Sequence, residues 1–331
     1  MTVTDSATIS AASSARKTAL TLRGPQKLFD LLFGGSTIFF AALVLLILGG
    51  VVFSLVSGSR LAFSTFGTDF IFSQFWNPVT SKFGARAPIY GTLMTSFIAM
   101  LFGVPISFGI AVFLTEVCPP VLKRPLSVAI ELLAGIPSII YGIWGLFFLA
   151  PFMQSYVEPY LTSTLGAVPG LGILFSGPPL GIGILTAGII LAIMIIPFIS
   201  SIMREVFETV PVMLKESAYG IGCTTWEVMW NIVLPYTRVG VIGGVMLGLG
   251  RAMGETMAVT FVIGNSHRIA SSLLAPGQTI SSTLANEFTE ATEDLYTSSL
   301  IALGLILFVI TFIVLSFAKV MLIRANRQAG N

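Results

Sequence analysis

The sequence predicts an all-α integral membrane protein with six transmembrane helices. Three observations carry that expectation. The 331 residues are 55% hydrophobic, have a mean hydropathy of +0.93 and are only 10% charged. A soluble domain is about 25% charged, so this chain has too few polar side chains to cover a globule. Apolar runs of nearly uncharged sequence recur, each close to the ~20 residues that a helical crossing requires. The basic residues between the runs are distributed unevenly, as they are around membrane spans.

Residues 1–27 include the polar stretch TDSATISAASSAR, which reads as a disordered tail with no cleavable signal peptide. The membrane domain is expected over 28–320, with a short tail at 321–331. Its runs are 38–56, 89–114, 126–152 (carrying Glu131), 180–203, 238–263 (carrying Arg251 and Glu255) and 300–318. The stretch 159–203 is one uncharged run of 45 residues. It is divided at SGPPLGIG (176–183) because Pro-Pro and three glycines punctuate it. The piece before that break is short of helix signals and is expected as an outer loop on the membrane surface.

Six crossings place both termini on one side. That side would hold Arg16, Lys17, Arg23, Lys27, Lys123, Arg124, Arg204, Lys215, Arg238, Lys319, Arg324 and Arg327, against Arg60, Lys82, Arg86 and Arg268 on the other. Twelve against four makes the termini cytoplasmic. Cys118 and Cys223 then lie on the inner side, where they read as small apolar packing residues. Two cysteines and one histidine, His267, supply neither a cysteine metal site nor a disulfide framework. His267 falls just past a span end and is expected at the surface. A net charge of +2 gives no case for nucleic acid, and no 20–50-residue repeat is evident.

The inner loop TVPVMLKESAYGIGCTTWEVMWNIVLPY (209–236) encodes more than a connector. Pro211 suits a first helical turn and Gly222 a helix C-terminus. Thr224 and Glu227 have capping-box spacing and restart a helix. Trp226, Met229, Trp230 and Val233 would share one apolar face, and Pro235 is expected to end that helix. Two short helices meeting at Gly222 could lie on lipid headgroups or dock a cytoplasmic partner.

Glu216, Ala218, Gly222, Ile232, Leu234 and Pro235 stand at the spacing E-x-A-x3-G-x9-I-x-L-P. This resembles the EAA loop of ABC importer permeases, with Ser217 where the family has its second-position alanine. The longer stretches RAPIYGTLMTSF (86–97), AIELLAGIPSIIYGIWGLF (129–147), KESAYGIGCTTWEV (215–228) and GLGRAMGETMAVTFVIGN (248–265) resemble the PstC-type permeases of phosphate-specific ABC importers. The resemblance covers roughly 28–320. It implies the type I ABC importer permease fold and transport of phosphate, with ATP hydrolysis left to a partner. It also implies a second, PstA-type permease, a dimeric PstB-type ATPase contacted through Glu216, Ser217, Ala218, Gly222 and Trp226, and a PstS-type extracytoplasmic binding protein. No cofactor is implied, and membrane lipid is the remaining partner.

Arg251 and Glu255 pose the sharpest question. On a helix over 238–263, Arg251 would lie about 20 Å in, near the midplane, with Glu255 one turn further out. A charge at that depth costs about 2.5–3.5 kcal/mol or more, and such residues usually line a pathway. Residues four apart share a face, so the two would pair when no substrate is present. A structural ion pair is the alternative, but a buried pair is seldom more stable than an apolar one. Guanidinium binds oxyanions through paired hydrogen bonds. A carboxylate only accepts them, which suits an anion that still carries a proton, as phosphate does and sulfate does not. Gly243, Gly244, Gly248, Gly250 and Gly254 would permit close helix approach, the last two leaving space beside the charges. Ser138 and Tyr141 line the path or pack helices, and Thr256 and Thr260 can bond their own backbone. Glu131 is given a structural or coupling role. The outer acids Glu287, Glu290, Glu293 and Asp294 read as a solvated face or a dock for the binding protein. A self-sufficient secondary carrier is the rival reading, and the bent inner helix pair argues against it. No G-x4-G-K-[ST] nucleotide motif and no nucleophile–base set occur.

Overall fold

In the computed structural model, residues 24–170 and 172–329 are described, apart from the side chains of 24–28, 321–322 and 324–329. Most of the expected polar tail (1–23) lies outside them. Two compact units divide at Leu55 and Val56. The first holds most of α1 (Gly24–Gly58), an unbroken apolar helix whose outward-facing residues are exposed, as suits a lipid-facing span.

The second unit is a helical bundle. It contains α2 (Arg60–Phe66), α3 (Asp69–Phe72), α4 (Arg86–Val117), α5 (Pro120–Ala134), α6 (Ser138–Thr164), α7 (Ile184–Glu208), α8 (Val212–Gly220), α9 (Thr225–Gly254), α10 (Met257–Thr260), α11 (Ile280–Glu287) and α12 (Asp294–Ala329). Among the described residues, six helical segments are long and apolar enough to cross a membrane, α1 with α2 counting as one. They put membrane-embedded side chains outward: Phe97, Phe102, Phe147 and Phe312 are all exposed.

The axle of the bundle is α7. It is buried along most of its length and packs on α4, α9 and α5. Hydrocarbon offers no hydrophobic drive for helices to associate, so contact relies on close van der Waals approach. A Cβ at Gly188 of α7 would stand 2.5 Å from Ile98 of α4. On α9, a Cβ at Gly240, Gly244 or Gly248 would meet Val206, Ile202 or Ile199 of α7 at 2.5, 2.9 and 2.4 Å. The glycine stripe expected from sequence thus lies at a seam through Gly244 and Gly248. Gly243 and Gly254 face open space, and a Cβ added at Gly250 would meet Leu315 at an ordinary 3.6 Å.

Four expectations are corrected. The third crossing is not one helix over 126–152: α5 stops at Ala134 and α6 starts at Ser138, because Gly135 and Pro137 interrupt it. The fifth is shifted, running over Thr225–Gly254 rather than 238–263. Pro235 does not end it. A widened π turn over Met229–Val233 precedes the proline and accommodates its missing N–H. The expected outer loop after residue 159 is helical to Thr164 before it becomes irregular. The break at 176–183 stands where the sequence puts it.

We expect Gly248→Leu to lower the unfolding temperature of the detergent-solubilised chain by an amount equivalent to about 1–3 kcal/mol of overpacking, whereas Gly254→Ala changes it little. Equal effects at both positions would contradict the packing assigned to α9.

Candidate functional site

Two interrupted helices meet at mid-height of the bundle. One is α9, which ends at Gly254. Glu255 follows with an extended backbone (φ −70°, ψ 129°), and the short α10 resumes at Met257. The other is the α5/α6 interruption at 135–137. They touch where Gly142 of α6 lies against α10: an added Cβ would be 3.0 Å from the Met257 carbonyl oxygen and 3.1 Å from Ala258 Cα.

Arg251 sits in the last turn of α9, where a cation suits the carbonyl end of the helix. Its guanidinium lies 5.5 Å from the centre of the Phe198 ring. Phe198 is about 21 Å from the start of α7 and about 15 Å from its end at 1.5 Å per residue, so Arg251 is at mid-depth, as expected. Its Nε is buried without a partner, and its charge acts on the Tyr141 phenol. Among the described residues no carboxylate is within ion-pair distance of it.

The expected Arg251–Glu255 pair is therefore absent. The extended backbone at 255 takes Glu255 off the helical face that a residue four positions on would share with Arg251. Its Oε1 instead faces the Ala258 N–H at 3.5 Å, at the start of α10. Thr256 lies in the gap and donates to the Gly254 carbonyl at 3.4 Å, while Thr260 donates to the Thr256 carbonyl at 2.7 Å. Tyr141 donates to the Leu133 carbonyl at 2.9 Å and so fastens α6 to α5 across their interruption. It also lines an apolar cavity of about 230 Å³ with Leu133, Ile196 and Ser200. Ser138 is the first residue of α6, at the positive end of that helix. The structure brings Arg251, Glu255, Thr256 and Tyr141 to one locality, with Ser138 one turn before Tyr141.

The corner and cap of loop 209–236 are built as their motifs predict. Gly222 turns the chain with φ +92°, a conformation that L side chains avoid. The capping box forms: Thr224 Oγ1 accepts from the Glu227 N–H at 3.3 Å, and Glu227 accepts from the Thr224 N–H at 2.7 Å. Ala218 is buried against α9, whereas Glu216 and Ser217 are exposed, Ser217 donating to the Met213 carbonyl. The predicted apolar face divides. Met229 and Val233 are buried, while Trp226 and Trp230 are exposed and stack at 5.3 Å. Ile221 is 83% exposed and Met213 is 76% exposed, so the corner presents apolar surface. Lys215 ties the loop to the end of α4 through Glu116 at 2.5 Å, with both side chains mostly buried.

Glu131 pairs with Arg204 of α7 at 2.7 Å, a structural role. His267 is not a plain surface residue. It stacks on Trp76 and bonds Glu287 at 2.9 Å. Glu287 also accepts from Trp76 Nε1 at 2.6 Å and from the Tyr296 hydroxyl at 2.8 Å, so it is no solvated acid. Burial raises the Glu287 carboxyl, but the bonds from His267, Tyr296 and Trp76 outweigh it and hold it below the ordinary range. Sequence pattern does not reveal this cluster because Trp76 lies some 200 positions from Glu287 and the others share no helical or strand spacing. The α5/α6 break was legible in Gly135-Ile-Pro137 and was overlooked in favour of a long apolar run.

Six apolar helical crossings, two broken helices and an arginine at mid-depth place the chain in the class of polytopic membrane permeases. The fold agrees. The structure resembles the permease of a bacterial alginate ABC transporter (18% identity, TM-score 0.58, 90% of this chain and 99% of that one) and that of the MetNI methionine ABC transporter (16%, 0.55, 72% and 94%). The model for "Binding-protein-dependent transport system inner membrane component" matches residues 103–325. The "Phosphate transport system permease protein PstC" of Mesorhizobium japonicum is 65% identical over 92% of this chain and 93% of its own length. That of Pasteurella multocida is 56% identical over 95% and 98%. The chain belongs to the PstC family of binding-protein-dependent inner membrane permeases.

Two outcomes follow from these contacts. Lys215→Met leaves Glu116 buried and unpaired and should cost about 3–5 kcal/mol; Lys215→Met with Glu116→Leu should recover most of it in chemical unfolding. Because the Glu287 carboxyl is depressed, its contribution to stability is present above the ordinary carboxylate value of about 4.3 and lost as pH falls through the lower folded value. Melting curves of Glu287→Gln should be lower than wild type at pH 7 and flatter in the acid range.

Proposed function

We propose that this chain is the transmembrane permease subunit of an ATP-driven importer that moves inorganic phosphate across the cytoplasmic membrane, with both termini and loop 209–236 cytoplasmic. The observation that carries the reading is Arg251: a guanidinium held at mid-depth, beside a break in its own helix and without a carboxylate partner. Its cost in hydrocarbon is offset when an anion arrives. The family relationship names phosphate as that anion.

Arg251 draws the oxyanion by charge-assisted hydrogen bonds. The N-terminus of α6 at Ser138 adds its partial positive charge. Glu255, standing free of Arg251, accepts the proton that phosphate carries and repels sulfate, which carries none. Thr256 and Tyr141 bound the same space. One such subunit supplies one wall of a pore, and a homologous PstA-type permease supplies the other. The exposed corner around Gly222, with Glu216, Ser217 and Trp226, is the dock for a dimeric PstB-type ATPase, and a PstS-type binding protein delivers phosphate from outside. The self-sufficient carrier is not supported: the relatives and the structural neighbours are ABC importer permeases.

In the reconstituted importer, Arg251→Gln should lower phosphate uptake by about a hundredfold, the loss of a charge-assisted contact worth about 3 kcal/mol. Glu255→Gln should keep uptake but relax preference over sulfate by at least about tenfold. Undiminished uptake in the first variant, or unchanged preference in the second, would sink the assignment.

A further inference from the structure

A second basic site lies at the other end of the bundle. Helix α4 runs without interruption from Arg86 to Val117, and Glu116 at its far end is bound to Lys215 of the inner loop. Arg86 is therefore on the face opposite that loop, about 45 Å away along the helix. There a cavity of about 610 Å³ is lined by Ser73, Gln74, Trp76, Arg86, His267 and Arg268, with Phe72 and Phe75 at its rim. No carboxylate lines it. Of the nearby acids, Glu287 is held by Trp76, Tyr296 and His267, Glu293 accepts from Ser81, and Asp69 lines an adjoining pocket with Lys82.

Among the described residues neither Arg86 nor Arg268 has an ion-pair partner, and both are exposed. Two free guanidiniums in one concavity, in a chain with so few charges, raise the local anion concentration. The positive end of α4 begins at Arg86 and adds to the same field. Ser73 and Gln74 supply neutral donors to the cavity wall. The volume is far larger than a bare tetrahedral anion, so the site suits an oxyanion that keeps part of its water.

We propose that Arg86 and Arg268 form an outer oxyanion site, a vestibule that holds a phosphate group before the mid-depth arginine does. The inference deepens the phosphate reading of Arg251 and rests on it for the direction of traffic, but the binding itself does not need Arg251. The phosphate group could be free inorganic phosphate or the headgroup of a phospholipid, since the cavity lies near a membrane face.

Arginine modification by phenylglyoxal, read residue by residue by mass spectrometry on the full chain at low ionic strength, tests this. In lipid-free detergent, millimolar inorganic phosphate should slow modification of both Arg86 and Arg268 about tenfold, and should do so equally in Arg251→Gln. Loss of protection at Arg268 in Arg86→Gln, with retention in Arg86→Lys, would mark a shared charge-dependent site. Protection in phosphatidylglycerol nanodiscs without added phosphate identifies the lipid headgroup as occupant of the same site. Rates unchanged by either source at both arginines would overturn the proposal. Protection that vanishes in Arg251→Gln would also overturn it, by placing the anion at mid-depth alone. Protection that persists while Arg251→Gln transports normally would instead leave the vestibule standing and remove the mid-depth assignment.

Discussion

A hydrocarbon interior supplies no water to backbone groups, so a membrane helix can stop midway only where something else meets its open ends. The rest of the molecule is arranged around two such stops. Gly254 ends α9, and the Glu255 carboxylate approaches the first turn of α10. Ala134 ends α5, and the Tyr141 hydroxyl reaches back to the Leu133 carbonyl. Each break is thus partly satisfied by a side chain from beside it. Irregular backbone at this depth is tolerated where it borders a cavity, and a mid-depth charge has the same requirement. The guanidinium of Arg251 lies beside the α9 break, its Nε without a partner among the described residues, and the Tyr141 side of the α5/α6 break lines a cavity.

Keeping two broken helices in register requires an unbroken one beside them. Helix α7 serves, and its fit to α4 and α9 depends on what glycine lacks. At Gly188 and Gly248 an added methyl would stand well inside van der Waals contact with its neighbour. Such positions cannot drift, because interiors packed to this density are bistable rather than continuously deformable. The polar ties lie at the ends, where the bundle meets water: Lys215–Glu116 and Arg204–Glu131 on one side, and the Glu287 cluster on the other. Apolar contact by close approach in the middle and charge at the rims is the division that a bilayer imposes.

How far this was legible in the sequence follows the range of the signal. Charge poverty and apolar run length are summed over twenty residues, so the number of crossings came through. The capping box at Thr224 and the corner at Gly222 are local chemistry, and they stand where the residues put them. Helix ends within long apolar runs did not come through, because hydropathy does not change where a helix stops. Only Gly135 and Pro137 marked one stop, and nothing but a charge marked the other. Pro235 misled for a related reason: the proline rule presumes regular α geometry, and the π turn before it supplies a wider ring. His267 and Glu287 are twenty positions apart and Trp76 far from both, so their meeting belongs to tertiary structure alone.

The continuity of α9 has a mechanical consequence. Had Pro235 ended the helix, the exposed Trp226–Trp230 pair and Arg251 would belong to separate bodies joined by a hinge. Instead they share one helix from Thr225 to Gly254. Trp226 and Arg251 are then about 38 Å apart on a single rod at 1.5 Å per residue. A force applied to the inner corner is delivered at the guanidinium without passing through a flexible joint. The break immediately after Gly254 completes the device. On the proposed reading, the rod moves against α7 as a unit between discrete packings of the glycine seam, while α10, packed on α6, stays in place. A small sliding of packed helices of this kind is a shear motion. On the phosphate reading proposed above, it would change the distance between Arg251 and Glu255, which lie on opposite sides of the break, and with it the hold on a protonated oxyanion.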